Sequence, residues 1–397
     1  MKWRKEILIE LSKIGRENKQ TTPVPDILQF NDLYDRSGEL KSEELNEEEK
    51  NKISKFLILN AILDQGPDIV GVRRLLKESI NDLYRRDIDL LANPSDFFEH
   101  IGIVSEIIEK NHKEIKNDRA EDWAEEQGTA PEKYSLYFSQ SQRGMRSNKR
   151  IGWYLMGRWG TPFFNFVLLK KDEKNVIDFI EGFESSEKMS RKLKKHDRYG
   201  LGKAIGNKAC HLFAKWYIYS YDLVTDRHLN PTINGVEKDK GWNGYSYEMP
   251  FDSNIGRVLF RTGWFYEWTD EDSLIADNAI QEGRGKSGAH YLRVTNVRRN
   301  SDAEKGIDDE LKSNYGEIVT QHLKTKTKRW RNLYISKIPN ALLLDTEYEI
   351  GELDDGLMYI GTNYCTNTGD PDCQECPIND YCKGFRENND LIENYRT

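Results

Sequence analysis

Four of the five cysteines lie close together near the C-terminus. Cys365, Cys373, Cys376 and Cys382 are spaced C-x7-C-x2-C-x5-C. Four thiolates within 18 residues can close around one metal centre, and in a reducing compartment such grouping points to a metal rather than to disulfides. Zinc suits four sulfurs in a tetrahedron, but zinc modules usually present two C-x2-C knuckles, and here one short gap stands beside two longer ones. A [4Fe–4S] cluster takes one thiolate at each iron. The spacing favours iron–sulfur over zinc, with four free thiols as a third reading.

Such a loop needs elements to carry it, and the surrounding pattern is mostly helical. Residues 2 to 17 place apolar and charged side chains at helical spacing. Phe56 to Leu63 is a continuous apolar run, broken at Gly66-Pro67 and resumed as a second amphipathic helix through Tyr84. Ile205, Ala209, Leu212, Phe213 and Trp216 fall on one face of a helix. Asp252 directly precedes another such run (Ile255, Val258, Leu259), where its carboxylate is placed to cap the first turn.

Three stretches read as insertions or loops. Residues 109 to 150 are polar and charge-rich, and 225 to 248 carry Gly, Asn and Pro turn signals. Residues 282 to 345 begin with a Gly-basic loop, EGRGKSGAH, and continue through HYLRVTNVRR, which alternates like a strand. Further on, Lys324, Lys326, Lys328, Arg329, Trp330 and Arg331 concentrate positive charge around an aromatic ring.

Several segments taken together carry a family resemblance. CQECPINDYC holds the last three cysteines, with Pro377 after Cys376, and GLMYIGTNYC leads into the first. AIGNKACHLFAKW, from Ala204 to Trp216, has the form of a hairpin and its following helix, G-x-G-x-K-x-A, with Ala204 in place of the first glycine. PFDSNIGRVLFRTGW contains Asp252, and FLILNAILDQGPDI contains a Gln turn at Gln65. In this order the chain resembles the iron–sulfur helix-hairpin-helix DNA glycosylases, the group that includes endonuclease III and the adenine-mismatch glycosylases. It departs from the family in a first cysteine gap one residue longer and in an acidic loop, TNTGDPD, where the family carries Lys or Arg. Lys208 and Asp252 are also 44 residues apart, more than twice the family's separation, and the 225–248 stretch absorbs the excess.

The resemblance implies an all-α fold of two lobes with a C-terminal [4Fe–4S] loop and inserted loops or a small β element. In that scheme, residues 1–49 pack with the iron–sulfur lobe, 50–224 form the helical lobe with the hairpin, 225–248 are an insertion, and 249–397 form the iron–sulfur lobe with its own insertion at 282–345. Asp252 matches the catalytic aspartate, whose carboxylate stabilises the positive charge that builds on the sugar as the glycosidic bond breaks. Lys208 matches the lysine nucleophile that makes a Schiff base at C1′. A second register through Gly200 and Gly202 promotes Lys203 instead, one residue too early. Lys203, Ala204, Ile205 and Gly206 would meet a phosphate through the hairpin. Gln65 would wedge beside a flipped base, and Lys328, Arg329 and Arg331 would add backbone contacts.

The presence of Lys208, and a chain ending 15 residues after Cys382 without an extra recognition domain, favour a glycosylase with AP-lyase activity. The cluster is expected to be structural. Its partner would be double-stranded DNA with a damaged or modified base, bound by a monomer. The alternatives are a monofunctional glycosylase using Asp252 alone, a non-catalytic iron–sulfur DNA-binding module, and a zinc scaffold.

Composition agrees with such a partner once the charge is resolved along the chain. The 397 residues carry a net charge of -8, yet 141 to 220 hold 17 Lys+Arg against 7 Asp+Glu, so the remainder sums to -18. A basic block in an acidic chain is the pattern of one face meeting phosphates. No window nears the roughly 18 apolar residues of a membrane span, and MKWRKEILIELSKIGREN lacks the apolar core of a signal peptide. The expectation is a cytoplasmic, nucleoid-associated protein.

Overall fold

The computed structural model describes residues 2–20, 40–63, 80–81, 84–85, 87–93, 95–96, 162–183, 186–224, 232–233, 236–237, 248–264, 280–284, 290–294, 337–343, 346–366, 370–387 and 389–393. These residues are mostly helical. In chain order they form α1 (Lys2–Glu17), α2 (Glu47–Leu63), α3 (162–171), α4 (Val176–Glu181), α5 (Ser186–Lys195) and α6 (Asn207–Lys215). Next come two short strands, β1 (Thr232–Ile233) and β2 (Val236–Glu237), and the helix α7 (Ser253–Arg261). They are followed by β3 (Ile280–Arg284), β4 (His290–Val294), α8 (Lys337–Leu343) and α9 (Ile350–Asn363), and by two single turns, α10 (Lys383–Arg386) and α11 (Asp390–Glu393). Gln65, Lys328, Arg329, Arg331 and the 109–150 stretch lie outside the described residues.

The chain divides into two compact units, one of residues 1–21 with 229–397, the other of 22–228. In the first, α1 packs on α9. The two helices meet at Gly15 and Gly356, where a Cβ on Gly15 would stand 1.8 Å from the Glu352 carbonyl oxygen and one on Gly356 1.8 Å from that of Leu11. Only glycine permits this approach. Arg16 bonds Glu352 at 2.6 Å beside the crossing. Helix α7 lies across α9 and buries Ile255, Val258 and Leu259, the face its periodicity marks.

Two antiparallel hairpins belong to this unit. β1 and β2 pair Ile233 with Val236 inside the stretch read as a turn-rich insertion. β3 and β4 pair from Ile280 with Val294 to Arg284 with His290, and β4 lies alongside α7. The alternation in HYLRV is thus strand. The first residues of the Gly-basic segment, Glu282 to Arg284, are strand as well and not loop, because they find a hydrogen-bonding partner in β4.

In the second unit α2 is apolar around most of its circumference and is buried accordingly, from Ile53 to Ile62. It packs on α4 and α6. Asn175 and Asp178 cap the start of α4 reciprocally, at 2.8 and 2.9 Å. α6 packs on α5 and continues into a π turn at Trp216–Ser220. Ala209, Leu212, Phe213 and Trp216 are buried as their spacing predicts. Ile205 is buried too, but not on the helix. Gly206 is extended and caps α6, so the helix starts at Asn207 and Ile205 reaches the core from the preceding loop.

Candidate functional site

The first unit carries the cysteines and Asp252, and a single helix connects them. Asp252 is the N-cap of α7, its Oδ1 accepting the amides of Asn254 at 2.9 Å and Ile255 at 3.0 Å. The carboxylate is half-buried. A carboxylate there is favoured by the helix dipole as well as by the two bonds.

Two arginines on α7, four residues apart, reach toward the first cysteine from the other end of the helix. Arg257 Nε donates to the Cys365 carbonyl at 2.6 Å, while its Nη2 donates to the Gly361 carbonyl and to Asn254 Oδ1, both at 2.7 Å. Arg261 Nη1 donates to the Thr366 carbonyl at 2.8 Å and stands 3.6 Å from Cys365 Sγ. Both arginines are buried. Side chains of this kind enter a core only when donors are matched, and here Arg257 through Nε and Nη2 and Arg261 through Nη1 are matched by carbonyls at the end of α9 and in the residues that follow. Asn254 touches both Asp252 and Arg257, so the capped start of α7 is joined to the start of the cysteine loop.

Cys365, Cys373, Cys376 and Cys382 line one pocket, with about 370 Å³ of empty space that is partly open to solvent. Val258, Ile360 and Ile378 give it an apolar floor, and Arg261 is its buried cation. Among the described residues no three His, Cys, Asp or Glu side chains form a group able to hold a metal ion. Burial pushes the Cys376 thiol up to about 12 and the Cys382 thiol to about 11, and the neighbouring cysteines add to both shifts. Four thiolates side by side in this pocket would repel one another, and a cationic centre would relieve that repulsion.

The end of the loop is clamped onto the same helix. Cys382 Sγ stands 3.7 Å from the Arg261 carbonyl, and the Lys383 amide donates to the Thr262 carbonyl at 3.1 Å. Gly384 crosses there so closely that a Cβ would lie 2.0 Å from the Arg261 oxygen. From α1, Trp3 Nε1 donates to the Tyr381 carbonyl at 3.0 Å, and Arg4 Nε to that of Trp264 at 2.8 Å.

The second unit carries the hairpin. α5 and α6 pack on each other, joined by residues 196 to 206, with Gly202 at φ 53° and a 3-10 turn at Gly202–Ala204. Lys203 and Ala204 lie in that turn. Gly206 precedes α6, and Lys208 is half-buried on its first turn. Asn165 on α3 donates from Nδ2 to the carbonyls of Tyr199 and Gly200, at 3.0 and 3.3 Å. Asp172 accepts from Arg198 Nε at 2.5 Å and Nη2 at 2.7 Å, and from the Tyr199 hydroxyl. The Arg198 bonds hold the Asp172 carboxyl down at about 2.

Asp252, Arg257, Arg261 and the four cysteines are therefore brought together on α7 and the loop beside it, while Lys208 belongs to the other unit. The sequence reading missed Arg257 and Arg261. The available signal was two arginines at i and i+4 inside an otherwise apolar helix start. Asn165, Asp172 and His196 were missed as well, and the local pattern around them carries no comparable mark.

No protein-family model matches the chain, and no curated protein or solved structure does either. The likeness to the glycosylases rests on the motifs and their order. Among the described residues no helix is long and apolar enough to cross a membrane.

Proposed function

We propose that the protein is a helix-hairpin-helix DNA glycosylase with a [4Fe–4S] cluster on Cys365, Cys373, Cys376 and Cys382, and that it acts as a monomer on duplex DNA with a damaged or modified base. The observation that carries this reading is α7, with an aspartate capping its start and a four-cysteine pocket at its end. The chemistry of the donor set fits the cluster: four thiols line one pocket, and a buried arginine is on hand as counter-charge. When bound, the cluster supplies a cross-link that folds residues 365 to 382, and the hydrolytic chemistry falls to side chains.

The target nucleotide must leave the duplex stack before its glycosidic bond can be reached. Asp252 then stabilises the cationic sugar as the bond to the base breaks. Lys208 attacks C1′ with its neutral amine in place of the departed base, which takes up the amine's proton, and breaking of the C1′–O4′ bond opens the sugar ring to give an imine. Loss of a C2′ proton then expels the 3′ phosphate and nicks the strand. The hairpin from Lys203 to Gly206 takes a phosphate through its backbone amides, and the basic 141–220 block supplies salt-dependent affinity. Gln65, Lys328, Arg329 and Arg331 are the remaining proposed contacts.

Borohydride trapping on duplex DNA with a plain abasic site tests the reading without knowledge of the base. Wild type should give a covalent adduct, lost in Lys208→Gln and kept in Lys203→Gln. Binding without an adduct would remove the lyase step and leave a monofunctional enzyme. Purified protein should also be brown, with about four irons per chain by this assignment; a colourless protein holding one zinc would overturn the cluster.

A further inference from the structure

Residue 196 is the hinge of the linker that follows α5, and its side chain works inward. His196 Nδ1 accepts two backbone amides, from Arg198 at 3.2 Å and Tyr199 at 3.1 Å. The imidazole lies parallel to the Tyr199 ring at 5.2 Å between centroids, and Phe179 meets it edge-on at the same distance. Phe183 closes the other edge at 6.2 Å. Gly200 returns so close to residue 196 that a Cβ there would lie 2.5 Å from the His196 carbonyl oxygen. The ring is thus the nucleus on which residues 196 to 200 fold, and those residues deliver the chain to the Gly202–Ala204 turn and to Lys208.

An Nδ1 that accepts two N–H groups must be unprotonated. A proton placed on it turns the acceptor into a donor facing two donors, and both bonds are lost. The elements that meet the ring carry Asp178 and Glu181 on α4 (beside Phe179), Lys192 and Lys195 on α5, and Asp197 and Arg198 in the linker, and Asp172 after α3 reaches Arg198 and Tyr199. Asp172 is already taken up by Arg198 and Tyr199, and Glu181 by the Tyr217 hydroxyl.

We propose that His196 is a positioning residue for the hairpin: in its neutral form it holds the 196–200 linker in the shape that presents the 203–206 turn to DNA, and its protonation releases that shape. The inference rests on the reading of the hairpin as a DNA-binding element. It carries an unusual sign. Adding positive charge beside a phosphate-binding surface should tighten binding, whereas release of the linker should weaken it.

The experiment measures binding of a duplex with an abasic site at fixed salt, between pH 8 and pH 5.5, on either side of the ordinary imidazole value of roughly 6.5. Alongside it, amide exchange is followed at Arg198 and Tyr199. Wild type should lose about fivefold to tenfold in affinity on acidification, since pH 5.5 lies about one unit below the ordinary imidazole value, with protection falling at both amides. His196→Asn, whose Oδ1 can replace Nδ1 but does not titrate, should bind like wild type at pH 8 and keep its affinity at pH 5.5. His196→Phe should bind weakly throughout. Wild-type affinity that is flat or rises on acidification overturns the proposal, as does an Asn variant that weakens in parallel with wild type. A protein that binds no duplex at any pH overturns the DNA-binding reading itself, and the exchange data then report whether the histidine lock exists without that role.

Discussion

Asp252 and Arg261 stand at opposite ends of one nine-residue helix, the first capping its amides and the second placing a guanidinium 3.6 Å from Cys365 Sγ. At about 1.5 Å per residue the two are separated by about 13 Å, or about two and a half helical turns. The carboxylate proposed for catalysis and the loop proposed for the cluster therefore share a rigid connection, and disturbance at one end has a short route to the other.

The cap and the chemistry of Asp252 separate in two substitutions. Asparagine caps as well as aspartate, so Asp252→Asn should hold stability within about 0.5 kcal/mol while abolishing base release. Asp252→Ala should cost about 1 kcal/mol in addition. Denaturant melts read the first quantity, and release of free base from a modified duplex reads the second.

Arg257 gives two charged hydrogen bonds, one to the buried Gly361 carbonyl at the end of α9 and one to the half-buried Cys365 carbonyl at the start of the cysteine loop. Arg257→Met should destabilise the unit by about 3 kcal/mol and speed the loss of iron from the purified protein. Chelator challenge followed by visible absorbance measures that rate. An unchanged rate would mean that the first cysteine does not depend on this arginine.

The crossing of α1 and α9 leaves no room for a methyl group. Gly15→Ala and Gly356→Ala should each cost about 2 kcal/mol or more, since the helices must separate to accept the new atom. The contact that each methyl meets is backbone, which no rotamer change relieves. Thermal melts of the two variants check this, with an exposed helix glycine substitution as the reference.

Asp172 has its carboxyl lowered from 3.8 to about 2, mainly by Arg198. A depressed carboxyl adds stability that is present in full above the unfolded value and is lost as pH falls through the folded one. Acid titration of wild type should therefore show a loss between about pH 4 and pH 2 that Asp172→Asn lacks. The variant should be less stable than wild type at pH 6, and the gap should narrow as the acid range is entered.

Much of the local structure was legible from the residues themselves. The helices at 2–17 and 205–216, the strand at HYLRV and the cap at Asp252 follow from periodicity and from one short side chain before an apolar run. Where the reading slipped, a neighbour in sequence changed the outcome. An extended Gly206 moved the helix start past Ile205, and pairing with β4 turned Glu282–Arg284 into strand.

The cysteine count, their spacing and the acid before α7 could be had from the chain alone, because capping and periodicity act over one to four residues. The partners of the buried arginines could not. Arg257 meets a carbonyl 108 residues away and Arg4 one 260 residues away, and the Gly15–Gly356 crossing joins the two ends of the chain. Such pairs depend on which helix faces meet and how closely, and close packing sets that over the whole unit at once.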